Sequence, residues 1–239
     1  VMAIEVFNRY EHKYILNEQT YARLQDALEQ HMTLDPYNID RKPYTITNLY
    51  YDTPDDYLIC ASLSDPVYKE KLRLRAYGVP EKDSKVLLEI KKKYDGLVNK
   101  RRTALSLDEA YVFADTGIRP EKKAYMNAQV VREIAYFLEH RRVSPKLYIA
   151  YDRVAYFEKG NDDLRISFDR NIRTRRNELR LESGDYGEKL LADGYVLMEV
   201  KTSLAKPLWL CQLLSALEIR RQSFSKYGTE FKNTCRAAG

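Results

Sequence analysis

The 239-residue sequence predicts an α+β fold, an antiparallel β domain with helices at its periphery, and three observations carry that prediction. Eight stretches alternate at period two or are rich in β-branched and aromatic residues. The segments between them carry apolar stripes at helical spacing, with recognisable caps. No repeat of fixed period and no low-complexity tract divides the chain, so residues 1–239 are expected to form one domain.

Composition narrows the class further. A hydrophobic content of 44% supplies a core for a domain of this length. Lys and Arg number 40 against 35 Asp and Glu, a net charge of +5, so any anion site must come from local concentration of charge. Cys60, Cys211 and Cys235 are far apart with no zinc-like spacing, which points to a reducing compartment and to cysteines buried as small hydrophobes. The first ten residues bring charge too early for a secretory signal. The longest apolar run, Leu208 to Leu217, is broken by Gln212 and is too short for a bilayer. A cytoplasmic protein without membrane insertion is expected.

In chain order, Glu5 to Leu16 alternates as a strand, with Arg9, Glu11 and Lys13 on one face. Asn17 is an N-cap for a helix to about Gln30, with Leu16 and Tyr21 as a hydrophobic staple and Tyr21, Leu24 and Leu28 as its apolar stripe, a plug or cover. Tyr44 to Thr53 is a strand stopped by Pro54. Tyr68 to Tyr77 then sets Lys69, Lys71, Arg73 and Arg75 on one face and Glu70, Leu72, Leu74 and Ala76 on the other. Lys85 to Tyr94, with Leu87, Glu89, Lys91 and Lys93 in phase, turns at Asp95-Gly96 into Leu97 to Leu105, where Lys100 and Arg102 share a face.

Ser106 with Glu109 forms a capping box for a short helix ending at Gly117, and a longer helix is expected from about Glu121 to Arg141. Lys146 to Phe157 is a strand with Leu147, Ile149, Tyr151 and Arg153 in phase. Leu164 to Asn171 follows, with Arg165, Ser167 and Asp169 on one face, and Thr174 to Glu182 reads as an edge strand or a loop. Tyr195 to Thr202 aligns Tyr195, Leu197, Glu199 and Lys201. After Pro207 the stripe Leu210, Leu213, Leu214 and Leu217 is helical.

Strand after strand thus carries Lys or Arg on one face, and three of them add a carboxylate: Glu11, Glu89 and Glu199. On one strand such a face is ordinarily the wet side of a sheet. Repeated around a sheet that closes on itself, the faces share a lumen, and a lumen of cations repels itself unless it holds anions. Arg suits phosphate oxygens bidentately and Lys as a point charge. Carboxylates among them suit a hard divalent cation bridging phosphates, Mn²⁺ or Mg²⁺. Lys71, Arg102, Ser167 and Lys201 fall on these faces as substrate-binding candidates. No P-loop or dinucleotide motif is present, and His12, His31 and His140 are isolated. The modest net charge and the paired carboxylates are poor for nucleic-acid binding despite 20 tyrosines.

With those residues in place, the chain resembles the catalytic domain of the vacuolar transporter chaperone (VTC) family, the polyphosphate polymerases among the triphosphate tunnel metalloenzymes. The resemblance spans nearly the whole chain and rests on R-Y-E-H-K-Y (9–14), N-L-Y-Y-D-T (48–53), K-L-R-L-R (71–75), E-I-K (89–91), K-R-R (100–102), Y-D-R (151–153), R-I-S-F-D (165–169), M-E-V-K (198–201) and S-K-Y-G (225–228). It implies an eight-stranded antiparallel β-barrel, a tunnel that binds a nucleoside triphosphate through its phosphates and a metal. By position, Lys13, Arg73, Arg75, Lys91, Lys100, Arg153 and Arg165 would hold the triphosphate or growing chain. Glu199 would be the chief metal ligand, with Glu89 and Glu11 as further carboxylates, and Tyr151 and Lys226 would complete the walls.

The related cyclase and thiamine triphosphatase branch begins E-x-E-x-K, whereas this chain reads Arg9-Tyr10-Glu11-His12-Lys13, a departure that favours the polymerase. The resemblance therefore implies a metal-dependent polymerase moving the γ-phosphoryl of ATP onto phosphate or polyphosphate. A tripolyphosphate or nucleoside triphosphate hydrolase in the same tunnel, or a phosphate-polymer sensor without turnover, are the alternatives. The sensor domain and membrane spans of eukaryotic relatives have no counterpart in the sequence, so a separate membrane protein is an expected partner.

Overall fold

The computed structural model describes residues 6–64, 67–95, 97–203 and 205–238, and the side chains of 6–9, 162 and 238 are not among those described. Among the described residues ten strands form one antiparallel sheet: β1 (Val6–Asn17), β2 (Met32–Leu34), β3 (Tyr44–Asp52), β4 (Tyr68–Tyr77), β5 (Lys85–Tyr94), β6 (Leu97–Ser106), β7 (Ser144–Glu158), β8 (Asn161–Arg175), β9 (Glu188–Lys189) and β10 (Tyr195–Thr202). Their order is β2-β7-β3-β4-β5-β6-β1-β10-β8-β9, and β8 also pairs with β7 from Tyr148–Arg175 to Glu158–Asn161. The pairings therefore return to their start through eight long strands.

The sheet holds ten strands where eight are expected, yet the circuit has eight positions. The short β2 prolongs the β3 edge of β7, at Met32–Glu158 to Leu34–Tyr156, and β9 prolongs the β10 edge of β8, at Arg173–Lys189. A three-residue and a two-residue strand are too short for alternation to reveal.

Period-two alternation sends one face of each strand outward under helices. Leu72, Leu74, Val86, Leu88, Ile90 and Leu105 pack outward against α3 (Leu107–Thr116) and α4 (Ala128–His140). Val196, Met198, Val200, Ile166 and Phe168 pack against α1 (Glu18–His31) and α5 (Leu208–Ala216). Each such Leu, Ile or Phe contributes about 1.5–3 kcal/mol by burial. A third cluster lies on the inner face: Ile46, Tyr50, Leu147, Ile149, Tyr151, Ile172 and Leu197 meet Tyr227 of α6 (Lys226–Ala238). The lumen is thus partly apolar, and the charged residues occupy the remainder.

Local signals set most boundaries. Asn17 Oδ1 accepts from Thr20 N at 2.8 Å to start α1, which covers the barrel from outside and is not a plug. The Ser106–Glu109 capping box forms, and Gly117, at φ 72°, ends α3 in the left-handed conformation. After β3, α2 (Tyr57–Leu63) is capped by the buried Asp52 carboxylate, which accepts from Leu58 N and Ile59 N.

Three expectations are corrected and one unassigned segment gains an element. The helix expected from Glu121 begins at Ala128, because Asn127 caps it by accepting from Gln129 N and Val130 N at 3.1 Å. β8 continues past Asn171 to Arg175, with register shifts against β7 that the alternation does not show. The segment after Ser225 is the helix α6, unassigned from sequence. All three cysteines are exposed rather than buried. The expected start of β1 at Glu5 and Gly96 of the Asp95-Gly96 turn lie outside the described residues. Among the described residues no helix is long and apolar enough to cross a membrane.

Candidate functional site

Strand register decides which inward side chains meet. Glu89 lies opposite Arg73 on one side and Arg102 on the other, and Lys91 lies between Lys71 and Lys100. Across the barrel, Lys13 is opposite Glu199 and Glu199 opposite Ser167, while Glu11, Lys201 and Arg165 form the next row. Arg153 is opposite Asp169. Two networks result.

The first is built on Glu89, which is fully buried. Its Oε2 accepts from Arg73 Nε at 2.7 Å and lies 3.8 Å from Arg75 Nε, while Oε1 is 2.5 Å from Lys100 Nζ. Burial pushes the Glu89 carboxyl up, but the Arg75, Lys100 and Arg73 cations outweigh it and hold the group well below the usual carboxylate range. The guanidiniums are oriented from behind. Arg73 Nη1 donates to Tyr50 Oη (2.9 Å), and Arg75 donates to Asn48 Oδ1 (2.9 Å) and Tyr151 Oη (3.1 Å). Locked rotamers of this kind cost a ligand little ordering.

The second network joins Glu199, Glu11 and Asp169. Arg153 grips Asp169 bidentately at 2.6 and 2.7 Å and reaches Glu199 Oε2 at 3.1 Å. Lys226, at the start of α6, bridges Asp169 Oδ2 (2.5 Å) and Glu199 Oε1 (3.1 Å). Lys201 donates to Glu199 Oε2 at 2.7 Å. Lys13 lies 3.1 Å from Glu11 and 3.7 Å from Glu199, and Lys91 donates to Glu11 Oε2 at 3.0 Å. Burial alone would raise the carboxyls of Glu11 and Glu199, and the surrounding lysines drive both well below the ordinary range.

Cations still outnumber carboxylates on this inner surface, and Lys71 shows the excess. It has no carboxylate partner among the described residues. Its Nζ lies 3.3 Å from Ser225 Oγ and 5.8 Å from the Tyr227 ring centre. Burial, with Lys91, Lys13, Lys69 and Arg73 around it, pushes the Lys71 ammonium down to about 7. Burial likewise takes Lys201 down to about 8 despite Glu199. Such groups gain charge when an anion arrives, so the surface is set to attract one.

The sequence-derived candidates Lys13, Arg73, Arg75, Lys91, Arg153, Lys100, Tyr151, Lys201, Lys226, Glu199, Glu89 and Glu11 all take part in these two networks, and Lys71 stands outside them, donating to Ser225 Oγ. Arg102 is in phase with them, and Ser167 is fully buried between Glu199 and Ala155. Arg165 stands at one mouth, bonded to Asp35 and Tyr44. Glu89, like Glu11 and Glu199, has a cation on each oxygen, here Arg73 and Lys100. The side chain of Arg9 lies outside the described residues. Sequence reasoning passed over Asp169, although it shares the face of Arg165 and Ser167, and missed Asn48, Tyr50 and Ser225 as partners of the cations.

Glu11 and Glu199 stand on adjacent strands and share Lys13, so a hard divalent cation could take the place of that lysine between them. Mg²⁺ and Mn²⁺ use one or two protein carboxylates and complete their shell with phosphate oxygens and water, and this donor set fits that habit. Among the described residues no three His, Cys, Asp or Glu side chains are placed to hold a metal ion together.

A family model described as the VTC domain matches residues 8–234. The chain belongs to the VTC domain family. The match spans both networks and every strand of the circuit. Among solved structures, this VTC domain is similar to a protein assigned as an adenylate cyclase from Bacillus halodurans, with a TM-score of 0.57 and 13% identity over 93% of this chain and 96% of that one. At that identity the likeness shows the fold alone. A Hippeastrum protein assigned as an adenylyl cyclase and described as having a dominant triphosphatase activity aligns over 96% of both chains at 18% identity, with a TM-score of 0.47. No curated protein resembles the chain closely enough to count as a match.

Proposed function

We propose that this VTC domain is a metal-dependent polyphosphate polymerase that transfers the γ-phosphoryl of ATP to a growing polyphosphate chain. The observation that carries the reading is the surplus of inward cations, with Lys71 lacking a carboxylate partner among the described residues beside Lys91, Lys13 and Arg73. A polyphosphate carries about one charge per phosphate and supplies the missing anions. On this reading an oxygen of the acceptor phosphate attacks the γ-phosphorus, the bond from that phosphorus to the β–γ bridging oxygen breaks, and ADP leaves with the electron pair. One phosphoanhydride replaces another. Arg73, Arg75, Lys91 and Lys100 would align the donor and neutralise charge on the transferring group, and Arg153, Lys13 and Lys226 would position the chain. A divalent cation, Mn²⁺ or Mg²⁺, would be held by Glu199 and Glu11 with phosphate oxygens and would supply further neutralisation of non-bridging oxygens.

The carboxylates of this surface are not set to take a proton from water, since a useful base has its pKa near the working pH. Glu11, Glu89 and Glu199 are all held well below the carboxylate range by two or more cations each, which makes them weak bases. An acceptor phosphate arrives already ionised and needs no base. Incubation with ATP and Mn²⁺ followed by gel electrophoresis tests the proposal: a ladder of long polyphosphate is expected. Free phosphate alone would identify a hydrolase, and unchanged ATP a binding module.

A further inference from the structure

Resting on the proposed triphosphate donor, we infer that Tyr77, supported by Tyr44, is a stacking platform for the nucleobase at one mouth of the lumen. Tyr77 continues the inward phase of Arg73 and Arg75 along β4, two residues beyond Arg75. A strand advances about 3.3 Å per residue, so the ring stands about 7 Å past the last arginine of the phosphate surface. That offset leaves room for a ribose. Tyr44, inward on β3 in phase with Asn48 and Tyr50, lies beside it, with ring centres 6.0 Å apart and planes tilted by 54°.

The platform is rigid and open at once. Gly78 N donates to Thr45 O at 2.8 Å and Thr47 Oγ1 donates to Gly78 O at 2.9 Å, which fix the backbone that carries Tyr77. The Tyr77 residue is nevertheless 59% exposed, so its ring is open to a ligand. At the same mouth Arg165 is held by Asp35 (3.1 Å) and Tyr44 Oη (3.3 Å), with its guanidinium 4.9 Å from the Phe157 ring centre. The Arg165 Nε is buried and has no hydrogen-bond partner among the described residues, a donor open to a ligand. Cations on the inner side and an open aromatic on the outer side match the two halves of a nucleoside triphosphate.

Stacking uses the π-face that every base has, so the platform selects nucleotides over bare polyphosphate while separating ATP from GTP weakly. Titration calorimetry of the wild-type protein and the Tyr77→Ala and Tyr77→Phe variants, with the β,γ-imido analogue of ATP and with tripolyphosphate, tests this. Tyr77→Ala is expected to weaken the nucleotide about tenfold, equivalent to about 1.4 kcal/mol, and to leave tripolyphosphate affinity unchanged, while Tyr77→Phe restores nucleotide binding. Equal loss for both ligands, or no loss for either, overturns the platform and leaves the proposed function standing. Failure of the wild-type protein to bind either ligand overturns both.

Discussion

Replacing Glu89 with Gln keeps the shape of the side chain and removes the one negative charge that Arg73, Arg75 and Lys100 share. Glu89 is fully buried, with contacts of 2.7 Å to Arg73 and 2.5 Å to Lys100. Removing one partner of a buried ion pair costs about 3–5 kcal/mol, because the other charge is left without compensation. The side chains of Arg73 and Lys100 keep 15% and 18% of their surface, so water relieves part of that cost and the lower figure applies. At about 2–4 °C per kcal/mol for a chain of this size, the free protein should lose about 6–12 °C in Tm. Anion binding should move the other way, since a polyphosphate would no longer compete with Glu89 for the same three cations. Tripolyphosphate at a hundred times its Kd stabilises by about 2.7 kcal/mol, and at a fixed concentration the rise in Tm should be larger for Glu89→Gln than for the wild type. Thermal unfolding with and without tripolyphosphate reads both effects. An unchanged Tm in the free protein, or a ligand-induced rise no larger than that of the wild type, would refute the counter-ion role.

Arg73→Ala with Arg75→Ala should weaken tripolyphosphate binding about 10²- to 10⁴-fold, from two charge-assisted hydrogen bonds of about 1.5–3 kcal/mol each; normal affinity by calorimetry would remove both arginines from the site. Lys71 and Lys201 are depressed to about 7 and about 8, chiefly by burial, against about 10.4 in an unfolded chain. Between those values the unfolded chain binds more protons, so stability of the free protein should rise with pH from 7 toward 10. Anion binding recharges both groups, so affinity should fall over the same window and binding at pH 8–9 should take up protons. Calorimetry in two buffers of different ionisation enthalpy measures that uptake, which Lys71→Met should reduce; equal uptake in the variant would count against Lys71. Asn127→Ala should cost about 1 kcal/mol by removing the cap of α4, and a denaturation midpoint shifted by much less would place the start of that helix elsewhere.

Strands and their faces were legible in the sequence because side-chain direction follows from alternation alone. Tyr68–Tyr77 and Lys85–Tyr94 coincide with β4 and β5, and the inward set Lys71, Arg73, Arg75, Glu89 and Lys91 is the set that alternation selects. The Ser106–Glu109 capping box and the Asn17 cap were equally local and equally readable. Partnership across the lumen is another matter. That Glu89 answers Arg73 and Lys100, while Glu199 answers Lys201, Lys226 and Arg153, depends on register and on a circuit closed by β7 and β8, and no local pattern encodes either. Asp169 was passed over for that reason: its meaning lies in Arg153, 16 residues away, and in Lys226, 57 away. Sequence by itself determined the strands, their cationic faces and the family. Only the tertiary structure decided which charges neutralise one another and which, such as Lys71, are left to meet an anion, because that balance is set by distances that exist only once the barrel has formed.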